Sequence, residues 1–277
     1  MKVLAPLLVL PCFLVLTALP TFAAEILPEA LDRPETYGGA QVVVLGELHD
    51  NPTHHAHQAR AVATLVPKAL VFEMLTPEAA RTMPAVLPDV ASLEKLLGWE
   101  ASGWPDFALY HPIFAAAPQA RVYGAEVPRG ASRRAFDDGI AAVFGAGAGA
   151  YGLTAPLPPE DQAGREAEQA EAHCNALPPD LLPGMVDVQR LRDAALARAV
   201  VQAMEDTGGP VAVITGNGHA RTDQGLTVPL ARVAPELRLL SIGQFELAAP
   251  AAPPHDLWLV TPAAPRDDPC KAFTGGG

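Results

Sequence analysis

Short apolar runs alternate with amphipathic segments along most of this 277-residue chain. The first clear run, residues 41–46, is followed by helical periodicity from Pro52 to about residue 65. A second run at 69–74 leads into another helix start at Thr76-Pro77-Glu78. This order of strand, helix, strand and helix predicts parallel strands joined by right-handed crossovers.

Later apolar runs predict strands at residues 121–125, 211–215 and 237–242, with an edge strand at 257–260. We therefore expect an α/β fold, with a mainly parallel sheet flanked by helices and a helical subdomain or cap. The predicted division follows the chain. Residues 25–128 form the first part of the core, with a helical aromatic segment, residues 129–206 form the helical insertion, and residues 207–277 form the second part of the core and a Pro-rich tail.

Ionisable residues stand where the predicted strands end. Glu47 and His49 follow the first strand, Glu73 the second and Glu126 the third, and His219 follows the fourth in a glycine-rich turn. The carboxyl ends of parallel strands share one edge of a sheet, where ligands bind in α/β folds. A solvated polar turn is the alternative for the first cluster, and a structural histidine is the alternative for the last. The predicted polar site consists of Glu47, His49, His55, Glu73, Glu126, His219 and Arg221.

Aromatic side chains are concentrated in one segment, with five of them between residues 99 and 114. Two interpretations carry equal weight. Aromatic residues at helical spacing are typical of a packed core. The segment can instead form an aromatic wall over a flat ligand, with Tyr110 or His111 facing inward.

The first 24 residues have the pattern of a secretory signal peptide: Lys2, an apolar run from residue 3 to 19, and small residues at 21–24. This pattern predicts export to the periplasm with cleavage after Ala23 or Ala24. The formal net charge of −12 argues against nucleic acid or an anionic membrane as a partner. Cys174 and Cys270 remain after cleavage, and we expect them to form a disulfide in an oxidising compartment, with two separate thiols as the alternative.

Taken together and in order, these motifs resemble the ChaN family of haem-binding, iron-regulated proteins. The resemblance covers nearly all of the mature chain. Its carriers are Gly46-Glu47-Leu48-His49-Asp50-Asn51 with His55 and Gln58, Phe72-Glu73-Met74, Trp104-Pro105-Asp106-Phe107 with Tyr110, Pro112, Ile113 and Phe114, Gly124-Ala125, His173-Cys174, the run from Leu182 to Val186 with Gln189, Arg190 and Asp193, and Gly216-Asn217-Gly218-His219-Ala220-Arg221.

The resemblance implies an α/β fold with a helical subdomain, a role in haem or iron acquisition, and haem bound in a homodimer by a tyrosine ligand. Tyr110 is the first candidate ligand, with His111 beside it, because it lies in a family motif. Tyr151, in a glycine-rich stretch, is the second. Family members are often lipoproteins, but Cys12 lies deep in the apolar run. No stable membrane anchor is therefore expected.

The chain is also similar to the wider Tiki, TraB and erythromycin-esterase group. That similarity implies a hydrolase in which His49, Glu73 and His219 activate water, with histidine as the general base. Alternatively, Glu47, His49 and His219 hold a divalent metal ion that lowers the pKa of bound water. A periplasmic haem-binding protein is the first hypothesis, the hydrolase is the second, and a partner-binding module is the third.

Overall fold

The computed structural model describes residues 23–268 and 270–271. The predicted signal peptide, residues 1–24, lies outside the described residues except for its last two. The strands are β1 Ala24–Glu25, β2 Val42–Glu47, β3 Ala69–Phe72, β4 Arg121–Gly124, β5 Val211–Gly216, β6 Leu239–Glu246 and β7 Leu257–Thr261. The helices are α1 Pro52–Leu65, α2 Pro77–Ala80, α3 Val90–Leu97, α4 Phe107–Ala116, α5 Arg129–Asp138, α6 Ile140–Phe144, α7 Pro159–Ala172, α8 Leu182–Thr207, α9 Asn217–Ala220 and α10 Thr227–Val233.

Within the described residues, the strands form one seven-stranded sheet in the order β1-β7-β6-β2-β5-β3-β4, and each strand pairs in parallel with its neighbours. The expected α/β fold is therefore confirmed. The first two predicted strands, β2 and β3, are not neighbours, because β5 lies between them. In this register Glu47 is paired with Gly216, so the ends of β2 and β5 lie side by side.

Both faces of the sheet are covered, and the sequence of β2 reflects this. Val43 and Leu45 belong to a core shared with α4, whereas Val42 and Val44 belong to a second core on the opposite face, shared with α8. Successive side chains of a strand point to opposite faces. A strand buried on both sides therefore has a continuous apolar run, as parallel strands between two helix layers require.

The helical part after β4 forms a third core, in which α5 and α6 pack against the first half of α8. The second half of α8, with Leu196 and Val200, packs on the sheet. Helix α8 thus belongs to two cores, one with α5 and α6 and one with the sheet. The sulfur atoms of Cys174 and Cys270 are bonded, with Cα atoms 5.6 Å apart, and they connect the end of α7 to the tail. None of the described helices is both long enough and apolar enough to cross a membrane.

The aromatic segment is mostly core. Trp99, Phe107, Tyr110 and Phe114 are buried, and the Phe114 ring stacks on a β3 side chain. Trp104 is only half-buried. The packed-core interpretation therefore describes four of the five aromatic residues, and Trp104 alone is left facing the edge of the sheet where the strands end.

Candidate functional site

The turn after β2 is held by the start of α1. Asn51 caps the helix by accepting a hydrogen bond from the Thr53 amide, and Pro52 occupies the first helical position. The Asn51 side-chain amide also donates to Glu246 at the end of β6. The Leu48 amide donates to His54 Nδ1 at 2.9 Å. These bonds fix the residues between strand and helix, so the side chains that leave this turn have defined directions.

Glu47 is a buried carboxylate with an exposed fraction of 1%. Its Oε1 accepts hydrogen bonds from His49 Nδ1 at 2.7 Å and from the Tyr110 hydroxyl at 2.8 Å. Burial raises the pKa of Glu47, but the His49 hydrogen bond and the neighbouring His55 charge outweigh it, so the pKa lies below its ordinary value. His55 lies beneath this pair and donates from Nε2 to the His49 carbonyl.

Glu73 follows β3 and is bound to the end of β5. Its Oε2 accepts from the Thr215 hydroxyl at 2.6 Å and from the Gly216 amide at 2.8 Å. Its Oε1 lies 3.5 Å from His219 Nε2. Burial raises the pKa of Glu73, but His219, His49 and these donors overcome that effect and lower it to about 2. Glu73 is therefore an anion at neutral pH.

His219 lies in the short helix α9 directly after β5. Its Nδ1 donates to Asp193 Oδ1 in α8 at 2.7 Å, which leaves Nε2 facing Glu73. Burial lowers the pKa of His219, but Glu73 and Asp193 raise it above its ordinary value. Burial also raises the pKa of Asp193. A carboxylate on each side therefore favours the imidazolium form of His219.

The absence of a side chain at Gly216 leaves room for His49 to approach Glu73. A Cβ atom at this position would lie 2.9 Å from His49 Nε2 and 3.7 Å from Glu73 Oε2. Burial lowers the pKa of His49, but its bond to Glu47 and the charge of Glu73 raise it overall. Ionisable side chains thus form a row across the edge of the sheet. Their order is Tyr110, Glu47, His49, Glu73, His219 and Asp193. Such a row can hold a proton and orient water or a polar ligand.

A cleft of about 160 Å³ opens beside Glu73. Trp104 lies on one side, with its ring 4.8 Å from that of His49, and Leu196 also lines the cleft. Ser102, Glu126, Arg129 and Arg192 complete the polar part of its lining. Burial raises the pKa of Glu126, although Arg192 and Arg129 act in the opposite direction.

A larger groove of about 1090 Å³ runs beside β4. Tyr123, Phe144 and Arg198 are among the residues that line it. The cleft and the groove adjoin, because both are lined by residues 125–127.

The structure places Glu47, His49, Glu73 and His219 close together at the ends of the strands, with His55 beside Glu47 and Glu126 at the cleft. Arg221 instead forms ion pairs with Glu168 and Asp223. The side chains of the three predicted haem ligands have different surroundings. Tyr110 is buried on Glu47, His111 donates to the Pro88 carbonyl, and Tyr151 packs on Phe144 with ring centroids 5.0 Å apart.

The structure does not assemble the predicted metal site from Glu47, His49 and His219. Among the described residues, no group of three or more His, Cys, Asp or Glu side chains is arranged to hold a metal ion. Glu47 Oε1 is already occupied by His49 and Tyr110. His219 uses one ring nitrogen for Asp193 and presents the other to Glu73 rather than to Glu47.

Sequence reasoning did not assign Asp193, Arg129, Arg192 or Trp104 to the site. Asp193 and Arg192 lie in a long helix whose apolar pattern shows only how it packs. A carboxylate inside an otherwise apolar face of that helix was the available signal for Asp193, since its neighbours in the chain at 191, 194 and 196 are buried apolar residues.

The chain was compared with known proteins. The family model described as "Haem-binding uptake, Tiki superfamily, ChaN" matches residues 35–230. No curated protein matches the chain. Among solved structures, the chain is similar to one described as cofacial heme binding to ChaN of Campylobacter jejuni, with a TM-score of 0.54, 18% identity, and coverage of 78% of this chain and 83% of that chain. At this identity the likeness shows the fold.

Two further structures are less similar. The type III effector HopBA1 matches with a TM-score of 0.46 and 14% identity, over 83% of this chain and 94% of that chain. An erythromycin esterase mutant, EreC in its open conformation, matches with a TM-score of 0.44 and 13% identity, over 82% of this chain and 80% of that chain.

Proposed function

Because the chain belongs to the haem-binding uptake family of the Tiki superfamily, ChaN, we propose that it binds haem outside the cytoplasm and serves haem or iron uptake. The family match over residues 35–230 carries this proposal, since it spans β2 to β5 and the residues that line both cavities. Export through the signal peptide at residues 1–24 and a homodimer are parts of the same proposal.

The groove beside β4 is the better place for a porphyrin. Its volume of about 1090 Å³ is in the range of cavities that hold large organic ligands, whereas the cleft of about 160 Å³ is too small for a macrocycle. Phe144 supplies an apolar wall, and Arg198 supplies a cation whose guanidinium lies 4.0 Å from the centre of that ring. This lining suits a flat, apolar ligand with anionic substituents.

Tyr151 is the first residue to test as the ligand of the haem iron. It packs against Phe144, a residue that lines the groove, whereas the Tyr110 hydroxyl would have to leave its bond to Glu47, and His111 is bonded to a backbone carbonyl. The pKa of the Tyr151 phenol is raised, because the effect of burial is larger than the opposite effect of the Arg198 charge. Ferric iron would displace that proton on binding, since a bound cation favours the deprotonated form of its ligand.

A haemin titration of the purified protein, followed in the Soret region, tests the proposal. We expect a saturable shift that Tyr151→Phe weakens and that Tyr37→Phe leaves unchanged. Tyr37 is a matched control because its hydroxyl is buried and donates to the Leu31 carbonyl. Tyr110→Phe and His111→Ala are measured beside it. Absence of a shift in the parent protein would refute haem binding, and a loss caused by Tyr110→Phe alone would move the ligand to that residue.

The row of acids and histidines favours a hydrolase as the second candidate. In this function His219 removes a proton from water through Nε2, Asp193 holds the ring through Nδ1, and Glu73 and His49 orient the water. The raised pKa of His219 means that the basic form increases as the pH rises above 6.5. Hydrolysis of p-nitrophenyl acetate should therefore rise over that pH range and be abolished by His219→Gln, with haemin binding preserved. Equal hydrolysis by parent and variant would exclude this function.

A further inference from the structure

Two arginines line the cleft without a salt bridge to a carboxylate among the described residues, although their charge acts on the nearby Glu126. Arg129 is the first residue of α5, and Arg192 lies in α8. Neither forms a hydrogen bond or an ion pair with any described residue. By contrast, Arg121 and Arg190 each lie within 3.2 Å of an aspartate oxygen. A half-buried cation such as Arg192 is costly unless an anion compensates it.

The backbone beside the cleft makes room for Arg129. Gly103 has φ of +81°, a conformation that side chains rarely adopt, and a Cβ atom there would lie 2.9 Å from Arg129 Nη2. The guanidinium therefore lies directly against the backbone at Gly103, in space that a Cβ atom would reduce. The next residue, Trp104, lines the same cleft, so a cation and an aromatic surface face one small volume.

The charges around the cleft leave an excess of positive charge. The negative charge of Glu73 is compensated by His219 and His49 and by two hydrogen-bond donors. Glu126 is then the one remaining carboxylate in the lining, beside two guanidinium groups whose charge acts on it. This local excess stands out in a protein with a formal net charge of −12.

We propose that Arg129 and Arg192 bind the carboxylate of a ligand whose apolar part lies against Trp104 and Leu196. Two guanidinium groups match a carboxylate through charge-assisted hydrogen bonds. The volume of about 160 Å³ limits the bound portion to a small organic group. The carboxylate belongs either to a small free acid or to a propionate of haem in the adjoining groove, and the second source depends on the proposed haem function.

Benzoate is the probe for the site, because it joins a carboxylate to an aromatic ring. Its binding is followed by the change in tryptophan emission and by calorimetry, with benzamide as an uncharged ligand of the same shape. We expect saturable benzoate binding that Arg192→Gln and Arg129→Gln each weaken by about tenfold or more. Arg133→Gln is the matched control, because Arg133 is exposed on α5 and does not line the cleft. Benzamide should bind more weakly than benzoate by a similar factor.

Haemin and its dimethyl ester then separate the two sources. If a propionate enters the cleft, benzoate competes with haemin, and both Arg192→Gln and esterification weaken haemin binding. If benzoate binds without competing, the ligand is a small free acid. The proposal is overturned if benzoate fails to bind or if it binds equally to parent and Arg192→Gln, or no more tightly than benzamide. These results are independent of the Soret titration, so failure of haem binding is distinguishable from failure of the carboxylate site.

Discussion

The substitution Glu73→Gln tests whether the row of acids and histidines is electrostatically coupled. Glutamine has nearly the same shape, and its side-chain oxygen can still accept from Thr215 and Gly216, as Glu73 does. The substitution therefore removes the negative charge with little change in packing. His49 and His219 then lose the carboxylate that both of them face.

The expected magnitude follows from the pKa of Glu73, which falls from an ordinary value of 4.5 to about 2 in the folded protein. At about 1.36 kcal/mol for each unit of pKa, this corresponds to about 3 kcal/mol of folding stability at pH 7. Glu73 is 6% exposed, so water screens the interaction little. Because the folded pKa is depressed, this stability is present above the unfolded value of 4.5 and is lost as the pH falls toward 2.

Urea unfolding followed by circular dichroism, at several pH values from 7 down to 3, measures the effect. We expect the variant to lose about 3 kcal/mol at pH 7, with the difference shrinking as the pH falls below about 5. Glu78→Gln is the control, since Glu78 is exposed and forms only a surface ion pair with Arg81. That substitution should cost no more than about 1 kcal/mol. A Glu73→Gln variant as stable as the parent at pH 7, or a loss that does not depend on pH, would refute the reasoning.

Three further predictions concern the turn after β2 and the disulfide. Because the rings of His49 and Trp104 lie 4.8 Å apart and the pKa of His49 is raised, tryptophan emission should fall as the pH drops through a midpoint above 6.5; the same transition in His49→Gln would contradict this. Asn51→Ala removes the cap of α1 and should cost about 1–2 kcal/mol in urea unfolding, whereas no measurable loss would show that the cap is dispensable. Cys174 and Cys270 should be joined in the exported protein, with an intact mass lower by two hydrogens, and reduction should cost about 2–4 kcal/mol; free thiols at both positions would count against it.

The sequence by itself determined the elements and the direction of the sheet. Apolar runs such as 42–45 and 211–214 are long enough for strands and too uniform for an exposed face, which indicates parallel strands covered on both sides. Asn51 and Pro52 marked the start of α1, because capping depends on local backbone groups. Glu47, Glu73 and His219 were predicted because each lies at, or within three residues after, the carboxyl end of a strand.

Only the tertiary structure decided which of these residues touch. Strand order depends on long-range packing, so the sequence did not show that β5 separates β2 from β3 and thereby brings Gly216 beside Glu47. Asp193 contacts His219 because α8 packs on the sheet next to the end of β5. The Tyr110 hydroxyl donates to Glu47 inside the core, and Arg192 lines the cleft without a salt bridge to any described residue. Local patterns specify which face of an element is apolar, whereas the partners of a polar side chain are set by chain segments distant in sequence.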